Sequence, residues 1–153
     1  MSQRIYIDTS VVGGFFDDEF KAPTQLLFKR LENKEVKFVI SDLLELELIQ
    51  APKHVNELLL KYPADSFERI ELSDETMSLA ERYIADKVVG RTSLEDCRHI
   101  ALATINKVDV VASWNFKHIV NLDRIKGYNS VNLRLGYPTI EIRTPQELVS
   151  YGD

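Results

Sequence analysis

A single cysteine, Cys97, is all the chain contains. That excludes an intrachain disulfide and a zinc site built from several cysteines. No apolar run approaches the roughly 20 residues that a bilayer-spanning helix needs, so no membrane partner is expected. Met1-Ser2-Gln3-Arg4 leads straight into a strand-like segment, so no signal peptide is expected and a cytoplasmic location is. Positive charge is not in excess: 19 Lys and Arg stand against 24 Asp and Glu, for a net charge of −5 and a pI near 5.3. This balance argues against a general, sequence-independent nucleic-acid binder. It leaves room for a nuclease, in which acidic ligands depress the formal charge and a bound metal restores positive charge locally. Repeats, low-complexity tracts and flexible linkers are missing. Gly13-Gly14 follows the first apolar run without the GK[ST] of a phosphate-binding loop. What remains is 153 residues with an ordinary 44% hydrophobic and 28% charged content, expected to form one domain over 1–153.

Strand-like and helical segments alternate along the chain. Arg4–Ile7, Lys37–Ile40, Phe67–Leu72, Val108–Ser113 and Thr139–Ile142 read as five strands. Between them, the periodicity predicts helices over Pro23–Leu31, Ser41–Gln50, His54–Leu60, Ser73–Lys87 and Ser93–Lys107. Thr144-Pro145-Gln146-Glu147 combines an N-cap, a first-turn proline and a glutamate three residues on, which marks another helix start. The segment 121–136 is the least regular and carries no assignment. Strands separated by helices imply a parallel sheet covered on both faces. In such sheets, sites lie outside the carboxyl ends of the strands.

Three acidic residues stand where this arrangement can aim them into one pocket. Asp8 closes the Arg4-Ile5-Tyr6-Ile7 run, Glu47 lies in the Ser41–Gln50 helix, and Asp96 opens the helix that continues Cys97-Arg98-His99-Ile100. Asn115 follows the apolar Val110-Val111-Ala112. Three crowded carboxylates would repel by about 4 kcal/mol per close pair at an intermediate dielectric. A divalent cation would let them stay ionised, and carboxylates at strand ends and helix starts suit a magnesium-dependent phosphodiester hydrolase.

Each residue also has a plainer role. Asp8 and Asp96 are good helix caps or first-turn acids. Glu45 and Glu47 lie about 200° apart around a helix, so only one of them faces any pocket. His99 shares a helix face with Asp96 and fits either phosphate chemistry or a hydrogen-bonded core position. Cys97 reads as a small buried hydrophobe. Trp114 and Phe116 read as aromatic packing at the sheet end, while Lys117 and His118 are candidate phosphate contacts.

In the order and spacing of four of its segments, the chain resembles the PIN-domain family, specifically the VapC-type toxin ribonucleases of bacterial toxin–antitoxin pairs. The segments are Ile7-Asp8-Thr9-Ser10, Ser41 to Leu48, Asp96 to Ala103, and Val111 to His118. The resemblance runs over nearly the whole chain, from about Arg4 to Ile142. The resemblance implies a three-layer α/β/α domain around a parallel sheet of about five strands, and an acidic pocket for Mg²⁺ or Mn²⁺. By position it assigns Asp8, Glu47 and Asp96 as catalytic residues and metal ligands. Ser10 or Thr9 matches the hydroxyl supporting the first aspartate, and Ser10 is also counted with Lys117 and His118 toward substrate. Asn115, counted with the catalytic set to orient a ligand or a water, falls where many relatives carry a further aspartate, a departure that removes one negative charge and puts two-metal chemistry in question.

The implied activity is metal-dependent hydrolysis of RNA leaving a 5′-phosphate. A small antitoxin blocking the active-site groove and a homodimer are also implied. The alternative from another class is a non-catalytic RNA-binding or scaffold domain, which the acidic pI and Asn115 favour and the retained Asp8, Glu47 and Asp96 oppose.

Overall fold

The structure, a computed structural model, describes residues 2–150. Among them, β1 (Gln3–Ile7), β2 (Val36–Ser41), β3 (Phe67–Ile70), β4 (Val110–Ala112) and β5 (Ile142–Arg143) form one five-stranded sheet. Every pairing is parallel and the spatial order is β3-β2-β1-β4-β5. The helices are α1 (Thr9–Gly14), α2 (Lys21–Glu32), α3 (Asp42–Ile49), α4 (Lys53–Asn56), α5 (Asp74–Ala85), α6 (Leu94–Ile105), α7 (Leu122–Arg134) and α8 (Pro145–Ser150). None is long and apolar enough to cross a membrane.

The central strands are apolar on both faces, and their side chains alternate between two cores. Ile5, Ile7, Phe38 and Ala112 pack with Leu27, Phe28 and Leu31 of α2 on one side. Tyr6, Val39 and Val111 pack with Leu79 and Tyr83 of α5 and Ile100 of α6 on the other. The result is the expected three-layer α/β/α arrangement. From β1 the chain steps outward through β2 and β3, then crosses back to place β4 on the opposite side of β1. The crossovers therefore diverge between β1 and β4, and the carboxyl ends of these two strands border the crevice where parallel sheets hold their sites.

Several expected elements shift. Residues 122–134, left without assignment, form α7, capped by Asn121, whose Oδ1 accepts from the Asp123 and Arg124 amides. The last strand lies at Ile142–Arg143 rather than Thr139–Ile142, because the Asn129 side chain takes both the Ile140 amide (2.8 Å) and the Ile140 carbonyl (3.1 Å). The single helix expected at His54–Leu60 breaks at Glu57 into α4 and a tighter 3₁₀ turn over Leu58–Lys61. Ser93 precedes α6 but makes no side-chain cap, since a 3₁₀ turn over Arg91–Ser93 already leads in. At Thr144 the expected capping box forms: the Glu147 amide donates to Thr144 Oγ1 (3.1 Å) and the Thr144 amide to Glu147 Oε1 (3.0 Å).

Helices α2, α5 and α6 end alike, with a lysine in the left-handed region: Lys34 and Lys87 at φ 61°, Lys107 at φ 54°. In each case the next amide reaches back to the carbonyl five residues earlier, at 2.9–3.2 Å, the Schellman closure usually given to glycine.

Candidate active site at the carboxyl ends of β1 and β4

Asp8 is the first residue after β1 and is only 4% exposed. It caps α1, with Oδ1 accepting from the Ser10 hydroxyl (2.6 Å) and the Val11 amide (3.3 Å). Oδ2 accepts from the hydroxyl of Ser113, the first residue after β4, at 2.6 Å. Ser10 Oγ in turn accepts from the Trp114 amide (2.8 Å), and Ser113 Oγ from the Asn115 amide (3.0 Å). Two serines thus stitch the ends of neighbouring strands around one carboxylate. Burial pushes the Asp8 carboxyl up; a nearby His99 and these hydrogen bonds pull it part of the way back. The cap and pocket readings of Asp8 describe the same side chain. Ser10, counted toward substrate in the sequence, is committed to Asp8 and the Trp114 amide, which is a supporting position.

Glu47 lies on α3, whose start is fixed by the Ser41 hydroxyl accepting from the Leu44 amide (3.1 Å). Its Oε1 accepts from the Thr9 hydroxyl and from His99 Nε2 (2.8 Å). Oε2 has no hydrogen-bond partner among the described residues. Glu45 points elsewhere and pairs with Arg69 at 2.8 Å, as the 200° separation requires.

His99 is 3% exposed, and its Nδ1 lies 2.5 Å from the Tyr6 hydroxyl, which is 2.8 Å from Ser41 Oγ. A carboxylate only accepts, so Nε2 carries a proton. A buried hydrogen-bonded chain therefore runs Ser41–Tyr6–His99–Glu47–Thr9 across β2, β1, α6, α3 and α1. Burial alone would lower the His99 pKa, but the Glu47 hydrogen bond and charge outweigh it and the net shift is upward. For Glu47 burial pulls up, and the His99 and Thr9 contacts pull it below the usual range.

Asp96 sits in the first turn of α6, half-buried, with Oδ1 3.3 Å from Asn115 Nδ2. Burial raises its carboxyl, and the charges of Asp8 and Glu47 add to the shift while His99 and His118 oppose it. Asn115 Oδ1 accepts from the His118 amide (3.0 Å), which shapes the loop after β4. His118 Nδ1 is buried without a partner among the described residues. Lys117 is exposed. Trp114 packs as expected, 8% exposed and stacked on Phe20 at 4.3 Å; Phe116 lies against both rings but leaves its other face to solvent, 51% exposed. Cys97 is buried and its thiol is pushed up to about 12, first by burial and then by Asp96, as befits an inert core residue.

Asp8, Glu47 and Asp96 thus face one region from three elements, and the charges of Asp8 and Glu47 both reach Asp96. The donor chemistry fits a hard divalent cation, being all carboxylate oxygen. The side chains stand wider apart than a closed shell: among the described residues, no three His, Cys, Asp or Glu are grouped to hold an ion. Magnesium usually retains several waters and needs only one or two carboxylates, which accommodates this spacing.

No protein-family model matches the chain, and no curated protein does. Solved structures do. A chain of a toxin–antitoxin complex from Klebsiella pneumoniae superimposes with a TM-score of 0.54 at 16% identity, covering 74% of this chain and 88% of its own. A chain of VapBC2 from Rickettsia felis, bound to a DNA fragment from their promoter, gives 0.55 at 12% identity, covering 93% and 98%. The fold is PIN-like. At such identities the likeness lies in the fold, and the site must be judged on this chain's own residues. In this PIN-like fold, the role of His99 was open in the sequence, Tyr6 and Ser113 carried no site reading, and Ser41 was read only as a helix start. A serine directly after a strand was the available signal for Ser113.

Proposed function

We propose that this chain is a divalent-cation-dependent ribonuclease and the toxin of a toxin–antitoxin pair. The observation carrying the nuclease reading is the approach of Asp8, Glu47 and Asp96 at the divergence of the crossovers, where two carboxyls are pushed up by burial and are not neutralised by a paired cationic side chain. Asp8 and Asp96 would hold Mg²⁺ or Mn²⁺, directly or through water, with Glu47 beside them. Such a cation, when bound, acidifies a water and offsets charge on the phosphate oxygens. Thr9 and His99 anchor Glu47 Oε1 and leave Oε2 to accept a proton from an attacking water. Asn115 orients Asp96. Lys117 and His118, on the loop after β4, would contact the RNA phosphates, and the product would carry a 5′-phosphate.

The toxin reading draws on the similarity to chains of two toxin–antitoxin complexes. On this chain, support for a protein partner comes from the apolar cleft of about 550 Å³ lined by Ile49, Leu59 and Leu60, with Ile49 and Leu60 63% and 82% exposed. A small antitoxin is the proposed partner and a homodimer the proposed assembly. Copurification with the product of an adjacent gene and sedimentation of the free chain test these two claims.

A non-catalytic RNA-binding role is the second reading, favoured by Asn115 and by the wide spacing of the carboxylates. One experiment separates the two: cleavage of mixed structured and unstructured RNAs with Mg²⁺ or Mn²⁺, against EDTA and Asp8→Asn. Cation-dependent cleavage lost in Asp8→Asn supports the ribonuclease. A fully active Asp8→Asn would sink the mechanism, and RNA binding without cleavage or cation uptake would favour the second reading.

A further inference from the structure

We propose that the outward face of Phe116 is a stacking platform for a nucleobase of single-stranded RNA beside the scissile phosphate. This rests on the ribonuclease reading and extends it to how substrate is held. Phe116 follows Asn115, which contacts Asp96 at 3.3 Å, on a loop that begins at Ser113, a partner of Asp8. Its ring is half in solvent, yet it is braced from behind: its centroid lies 6.0 Å from Trp114 and 6.1 Å from Phe20.

The bracing rings are themselves fixed. Trp114 and Phe20 stack at 4.3 Å with 22° between their planes, and Trp114 Nε1 donates to Thr24 Oγ1 at 2.9 Å. Trp114 also lies so close to Gly14 that a Cβ there would come within 2.8 Å of the indole. A buried Trp114 and a partly buried Phe20 thus support a third ring that faces water, on the loop that carries Asn115 to Asp96. An isolated surface phenylalanine would lose conformational freedom on binding a base, whereas a braced one has already lost part of it.

Charge makes such a platform useful. With a net charge of −5, the chain has no general electrostatic hold on RNA. Base–aromatic stacking supplies affinity that does not depend on a basic surface and tolerates any base. The exposed Lys117, one residue on, is placed for the adjoining phosphate.

Trp114 is the only tryptophan in the chain, so its fluorescence reports ligands at this cluster. The test is titration of a mixed-sequence single-stranded oligoribonucleotide into the full chain with Mg²⁺, in an Asp8→Asn background to prevent cleavage. Stacking predicts a change in Trp114 emission and a loss of about 5- to 150-fold in affinity for Phe116→Ala. Phe116→Trp should restore binding, measured by anisotropy of labelled RNA, and Phe116→Leu, apolar but without a π face, should not. Undiminished binding in Phe116→Ala, or full binding in Phe116→Leu, overturns the platform and leaves the ribonuclease reading intact. If Phe116→Ala instead abolishes self-association with RNA affinity unchanged, the face is a protein contact and the proposal falls. Absence of RNA binding in every variant and of cleavage by the parent chain overturns both readings.

Discussion

Glu47 and His99, 52 residues apart in sequence, meet at 2.8 Å, with the imidazole 3% exposed and the carboxylate 28%. His99 is held from behind by the Tyr6 hydroxyl, so the carboxylate is aimed by a fixed donor. Removing one partner of a buried charged pair costs about 3–5 kcal/mol; the part-exposure of Glu47 brings the expected cost of His99→Ala to about 2–3 kcal/mol. Urea unfolding at pH 6 measures this.

The same pair sets a pH dependence. The folded-state pKa of His99 lies above 6.5, so its contribution is full below that pH and is lost as the pH rises through the raised value. That of Glu47 lies below 4.5, so its contribution is full above that pH and is lost as the pH falls through the lowered value. Both are complete between pH 4.5 and 6.5. The stability gap between the parent chain and His99→Gln should be widest in that window and narrow on the alkaline side. A flat gap from pH 5 to 9 would contradict a charged pair.

Asp8 and Asp96 work in the opposite sense. Their raised pKa values mean that folding favours the protonated forms, and stability falls as the pH rises through those values. Near neutral pH, Asp96→Asn without cations should therefore melt higher than the parent. Mg²⁺ or Mn²⁺ at about 100 times its Kd should stabilise the parent by about 2.7 kcal/mol and do much less for Asp8→Asn or Asp96→Asn. Thermal melts with and without EDTA show both effects, and equal melting shifts in all three proteins would argue against a cation at these residues.

Ser113→Ala strips Asp8 Oδ2 of its hydroxyl partner and leaves a buried acceptor unmet. Loss of about 1–3 kcal/mol is expected, together with a further upward shift of the Asp8 carboxyl that titration by NMR would register. Ser113→Thr, which keeps the hydroxyl, should recover most of the loss if the threonine methyl is accommodated.

The lysines that close α2, α5 and α6 offer a gain. Lys34→Gly, Lys87→Gly and Lys107→Gly each remove a side chain from the left-handed region, and each should stabilise by about 0.5–1 kcal/mol. The triple variant, with sites far apart in sequence on different helices, should show nearly additive gains in urea.

Much of the architecture was legible because it follows from short-range rules. The β-branched runs became strands, the Ser41 and Thr144 caps formed, and alternation of strands with helices fixed parallel pairing. Helix α7 was not legible: its buried face shows only Tyr128, Val131 and Asn132, and Gly127 lowers its propensity. Distant partners help hold it. Asn132 Oδ1 accepts from the Tyr83 hydroxyl at 2.5 Å, Arg124 donates to the Val88 carbonyl at 2.6 Å, and Gly127 leaves room for the Val88 side chain. Around the acidic cluster, the carboxylates could be listed from their places at strand ends and helix starts, but not the wiring between them. Tyr6 read as a strand residue and Ser41 as a helix start, and only the packing of α6 over the sheet turns His99 toward both Tyr6 and Glu47.

The serine stitch between β1 and β4 also bears on when the site comes into being during synthesis. Asp8 leaves the ribosome 105 residues ahead of Ser113, and the loop that orients Asp96 is made later than Asp96 itself. Until β4 slides in beside β1, Asp8 lacks one of its three side-chain hydrogen bonds and Asp96 lacks Asn115. A nascent chain therefore carries its acidic residues without their final geometry, and whatever chemistry they perform is withheld from the ribosome that is still making them.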